Sequence, residues 1–63
     1  MRNADTTKKE FEKVLLGLLS KKNYHDITVN EICSLSGMTK MTFYHYYKDK
    51  DNFLALASIN LIN

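Results

Sequence analysis

At 63 residues the chain has room for one domain, and a chain of that size buries only about 60% of its unfolded surface. Its single cysteine excludes an intramolecular disulfide, and Cys33 with two distant histidines falls short of a tetrahedral zinc site. The net charge of +2 admits a nucleic-acid partner without demanding one, while 44% hydrophobic content, no proline and two glycines favour an all-α fold with short connections.

No stretch approaches the roughly 20 apolar residues of a membrane span, and the N-terminus lacks a signal-peptide core, so a reduced cytoplasmic setting is expected. Residues 1–6 are polar and read as a flexible arm, with Arg2 able to brush a partner. Thr7-Lys8-Lys9-Glu10 has the form of a capping box, in which the Thr hydroxyl and the Glu carboxylate satisfy each other's backbone N–H. Phe11, Val14, Leu15, Leu18 and Leu19 then recur at the spacing of one apolar helical stripe. This first helix should fade through Ser20 to Asn23, with two lysines suiting the negative end of its dipole and Asn23 as a left-handed cap. Lys8, Lys9, Lys21 and Lys22 read as a solvated face, and His25 falls in the following loop without a role.

Thr28-Val29-Asn30-Glu31 repeats the capping box, with Ile27 and Ile32 placed as a hydrophobic staple around it. The second helix is short, turns Val29, Ile32, Cys33 and Ser36 inward, and ends at Gly37, where the turn calls for positive φ. Cys33 reads as a small buried hydrophobe in preference to a redox switch. Thr39 opens a third helix, capping toward Thr42 with Met38 and Phe43 as the staple pair. Steps of 100° put Phe43 and Tyr47 on its core side and Met41, Thr42 and His45 outside. Tyr44 and Tyr46 fall on the flanks, and the long chain of Lys40 can swing outward. Asp49 caps a fourth helix through Phe53, Leu54, Leu56, Ala57, Leu61 and Ile62, whose apolar residues wrap more than one face. A helix of that kind is expected to continue or to pack against something outside this chain.

Two short capped helices joined by a tight glycine turn describe a helix-turn-helix at about 28–47. In such a unit the first helix braces across the DNA backbone while the second offers side chains to the major groove. The run from Ile27 to Asp51 resembles the N-terminal domain of the tetracycline-repressor (TetR/AcrR) family of transcriptional regulators. The likeness rests on Thr28-Val29 with Ile32, the Gly37 turn, Thr42-Phe43-Tyr44, the aromatic Tyr47 and Lys50, and with the first helix it covers about residues 7–56.

The resemblance implies a homeodomain-like three-helix head at 7–48 and a fourth helix at 49–63 leading to a C-terminal effector-binding and dimerising domain that this chain does not include. It implies double-stranded operator DNA as partner, a homodimer for the intact protein with this fragment monomeric, a recognition helix at about 39–46, and no enzymatic activity or cofactor. Matched residue by residue, Thr28, Thr39, Thr42, Tyr44, Tyr46 and Lys50 fall at phosphate-contacting positions, and Asn30, Lys40, Met41, Tyr44 and His45 at positions facing bases. Lys40 would donate to guanine, Asn30 would pair with adenine and Met41 would pack on a thymine methyl. Met41 stands where the family often has a small residue, and Cys33 and Ser36 replace its usual alanines. The alternative is a small helical interaction module docking through the apolar fourth helix, which leaves the double cap-and-turn unit unexplained. No nucleophile–base set or phosphate-cradling glycine loop supports an enzyme.

Overall fold

The computed structural model describes residues 4–62. Among them are four α-helices, α1 (Ala4–Leu19), α2 (Val29–Ser36), α3 (Lys40–Tyr46) and α4 (Lys50–Ile62), with one 3-10 turn at Tyr24–Asp26 and no strand. The all-α expectation holds. The expected contact of Arg2 and the side chains of Leu61 and Ile62 lie outside the described residues.

The start of α1 corrects the sequence reading. α1 already includes Ala4, Asp5 and Thr6, which are helical instead of forming an arm, and Thr7 is an interior residue of the helix instead of its cap. Thr7 is 5% exposed, and with Phe11, Leu15 and Leu18 it extends the inward stripe by one turn. Packing of that face explains the extra turn, and Asp5 suits the positive end of the dipole. At the other end Asn23 has φ −72° and ψ 151°, so it is extended and leads into the 3-10 turn. Leu18 closes the helix: its carbonyl accepts from the N–H of Lys21 and Lys22 at 3.0 and 2.9 Å, leaving no left-handed residue to be filled.

The other boundaries follow local chemistry. Thr28 Oγ1 accepts from the Glu31 N–H at 3.1 Å and Glu31 Oε1 accepts from the Thr28 N–H at 3.2 Å, completing the second capping box. Gly37, at φ 73° and ψ 17°, ends α2, and its N–H reaches the Cys33 carbonyl. Thr39 caps α3 by accepting from Thr42 N–H at 3.1 Å. Asp49 caps α4 by accepting from Asn52 N–H at 2.7 Å, while Asn52 Oδ1 accepts from Lys48 N–H at 2.9 Å.

An aromatic cluster closes the molecule. Phe11 of α1, Phe43 of α3, Tyr47 just after it and Phe53 of α4 are buried together, with ring centroids 4.7 to 6.2 Å apart. Most of these pairs are edge-to-face, the arrangement that ring quadrupoles favour. Burial pushes the Tyr47 hydroxyl up to about 12, aided by the Glu12 carboxylate, so Tyr47 stays neutral. Ile27, Ile32 and Cys33 continue the core under α2. Burial also raises the Cys33 thiol, as its role of packing residue requires. Glu12 is buried as well, and its Oε2 accepts from Asn60 Nδ2 at 2.9 Å, tying α1 to α4.

Candidate nucleic-acid interface

Phe43 decides how α3 is presented. Its ring has no exposed surface, and a seven-residue helix anchored through that ring turns Lys40, Met41, Tyr44 and His45 toward solvent. Met41 is 84% exposed and Tyr44 51% exposed, and Lys40 and His45 are exposed beside them. Thr42 is half-buried and its hydroxyl lies 3.1 Å from that of Thr39. An 84% exposed methionine gains nothing from the protein's own core. An unbranched thioether suits an apolar contact of irregular shape.

The flanking aromatics differ in support. Tyr44 packs edge-on against Phe43 at 5.2 Å, which holds its ring steady while its outer part stays free. Tyr46 is half-buried, with His45 edge-on at 4.8 Å and the Lys8 ammonium 5.6 Å from its ring centre. Lys8, read as part of a solvated face, thus supports the end of α3 from α1.

Charge is segregated along this unit in a way that the total of +2 conceals. From Ile32 to Lys48 there is no carboxylate, whereas Lys40, His45 and Lys48 all lie there and all are exposed. Lys48 escaped attention in the sequence because it follows the recognition helix instead of belonging to it. A window count of charge would have found it.

At the N-terminus of α2, Thr28 and Asn30 are exposed. The Thr28 hydroxyl is engaged as a cap, and Glu31 beside it meets Lys22 Nζ at 2.6 Å. That contact, with the N–H and hydroxyl of Thr28, holds the Glu31 carboxyl below its ordinary value. Lys22 therefore supports the capping box in place of forming a solvated face. Lys50 has a competing use as well. Its ammonium donates to the carbonyls of Tyr24 and Ile27 at 3.2 and 2.9 Å and sits 4.5 Å from the centre of the Tyr24 ring. The structure gathers Thr39, Lys40, Met41, Thr42, Tyr44, His45 and Tyr46 on or around α3, and places Thr28 and Asn30 at the start of α2. Lys50 is directed into the protein.

The model of the family described as bacterial regulatory proteins, tetR family, matches residues 13–57, most of the chain and all of the α2–turn–α3 unit. The chain belongs to the tetR family of bacterial regulatory proteins. No curated protein and no solved structure matches it. A tetR-family N-terminal domain is a DNA-binding domain of transcription regulators, and the family is not one of enzymes. Within this tetR-family domain, no group of three or more His, Cys, Asp or Glu among the described residues is placed to hold a metal ion. No helix among them is long and apolar enough to cross a membrane.

Proposed function

We propose that this tetR-family domain binds one defined double-stranded DNA sequence, with α3 in the major groove, and that the protein containing it represses transcription in the cytoplasm. The observation that carries this reading is the exposed face of α3, free of carboxylates and held from behind by Phe43. Lys40, Met41, Tyr44 and His45 face base edges from α3, and Asn30 does so from α2. Lys40 supplies a donor for guanine O6 and N7, Asn30 the amide pair for adenine, and Met41 an apolar surface for a thymine methyl. Thr28, Thr39, Thr42, Tyr44 and Tyr46 bring hydroxyls to the phosphates, which set the register without reading sequence.

Operator binding by the intact protein is that of a two-fold dimer whose recognition helices lie about 34–36 Å apart, with α4 joining the head formed by α1, α2 and α3 to an effector-binding domain. Leu56 and Ile59 of α4, 41% and 55% exposed, favour a helix that packs against further protein. They also support the second reading, a protein-docking module, which accounts for α4 but for nothing in α3. Selection from a random duplex pool by the 63-residue chain, followed by anisotropy titrations in rising salt, tests the choice. Enrichment of one sequence, with affinity falling steeply with salt, is the expected result. Failure to prefer any sequence over bulk DNA would sink the reading.

A further inference from the structure

We propose that Lys50 and Tyr24 form a clasp that sets the N-terminus of α2 against α4, and that Lys50 is a positioning residue for DNA binding instead of a phosphate contact. The proposal rests on the DNA-binding reading above. It starts from a single peptide group, the one joining Ile27 to Thr28. Its carbonyl, on Ile27, accepts from Lys50 Nζ at 2.9 Å, and its N–H, on Thr28, donates to Glu31 Oε1 at 3.2 Å. The other oxygen of Glu31 accepts from Lys22 at 2.6 Å. Both edges of this peptide are thus held by charged groups, and charge-assisted hydrogen bonds are the stronger kind.

Tyr24 ties the same turn to α4 three times more. Its carbonyl accepts from Lys50 Nζ at 3.2 Å, its ring lies under that ammonium at 4.5 Å, and its hydroxyl donates to Asp51 Oδ1 at 2.9 Å. Lys50 and Asp51, the first two residues of α4, therefore grip one aromatic residue from both ends. Ile27 is fully buried between these contacts, so the turn has little room to shift. An ammonium has three donors, and two are spent on carbonyls here while the charge rests on a ring face. A phosphate would therefore have to compete with all three partners for Lys50. The clasp delivers Thr28 and Asn30 at a fixed height relative to α3, whose own base is set by Phe43 against Phe53 of the same α4.

A phosphate contact and a positioning contact leave different marks. Each phosphate neutralised adds about 0.9 to the slope of log affinity against log salt. The wild-type chain, Lys50→Met, Tyr24→Leu and the double variant are titrated in salt on the duplex that the wild type selects and on a mixed-sequence duplex. Lys50→Met should lower affinity for the selected duplex by roughly ten-fold, weaken the mixed duplex clearly less and leave the salt slope unchanged. Tyr24→Leu, which removes no charge, should do the same, and the double variant should be no worse than either. A slope smaller by about 0.9 with equal weakening on both duplexes, or additive effects, would overturn the clasp. Should Lys50→Met fail to fold, Tyr24→Leu carries the test alone, since unchanged discrimination in it is also fatal. If the wild type selects no duplex, the DNA reading itself fails. Amide exchange at Thr28 to Ile32 in the free chain still reads the clasp, with faster exchange in Tyr24→Leu expected and unchanged exchange excluding it.

Discussion

Lys40 and Lys50 show how the same side chain is put to opposite uses. Lys40 stands in the first turn of α3 with its ammonium in solvent, while Lys50 stands in the first turn of α4 with its ammonium on two carbonyls. Lys40→Ala should therefore relax base preference at one position of the selected duplex, worth about 1–3 kcal/mol of discrimination, as repeated selection with the variant would show. Glu31 supports a different prediction. Its carboxyl is lowered chiefly by the hydrogen bond from Lys22, so the folded chain releases that proton at a lower pH than the unfolded chain does. The stability this contributes is complete above the unfolded value near 4.5 and is lost as pH falls through the lower folded value. Thermal melts of Glu31→Gln should accordingly lose less stability than the wild type on acidification through that range. An acid limb as steep in the variant would remove Glu31 from the account.

The turn between α2 and α3 places one element against the next through a single backbone conformation. Gly37 is left-handed at φ 73°, and a Cβ added there would meet nothing within 4 Å, so any cost of substitution is one of backbone conformation. Gly37→Ala should destabilise by about 1–2 kcal/mol and Gly37→Asn by less, since asparagine visits this region more readily. Gly17 offers the opposite case within α1. It is exposed and helical and has the same open space around a Cβ, so Gly17→Ala should stabilise by about 0.5–1 kcal/mol. Chemical denaturation of the three variants checks both signs. The caps at Thr28, Thr39 and Asp49 were legible because each is satisfied within three residues of itself. The end of α1 was less so, because Asn23 competes with a 3-10 turn whose geometry depends on Ile27 being pulled into the core.

One aromatic cluster joins α1, α3 and α4, and Ile32 and Cys33 of α2 continue the same core. Phe43→Ala would remove the ring that touches Phe11, Tyr47 and Phe53 at once. Large-to-small changes at such sites cost about 3–5 kcal/mol, which a domain of this size cannot absorb. The expected outcome is a chain without a cooperative melt or near-ultraviolet aromatic signal, whereas Phe43→Leu should fold with reduced stability. Much of this core was readable, since Phe11, Leu15, Ile32, Phe43 and Tyr47 fall on inward faces by spacing alone, whereas the inward face of α4, with Phe53 and Ala57, was hidden by apolar residues all round that helix. Glu12 was not, because a carboxylate on the inward face makes sense only once Asn60, 48 residues away, is there to donate to it.

By itself the sequence determined the helix-turn-helix: two cap motifs, a glycine and an apolar residue at the right step specify α2, the turn and α3 through hydrogen bonds spanning a few residues. It also placed Met41 and His45 outside and Phe43 and Tyr47 inside, because a short helix with one buried ring has one orientation, whereas Thr42, read as outside, is half-buried and Tyr44, read as a flank, is exposed. Only the tertiary structure decided that α1 takes in Ala4 to Thr6, that Lys22 serves Glu31, and that Lys50 turns inward. The partners of Lys50 lie 26 and 23 residues away, and a flexible four-carbon side chain has no preferred direction until packing brings such partners within reach.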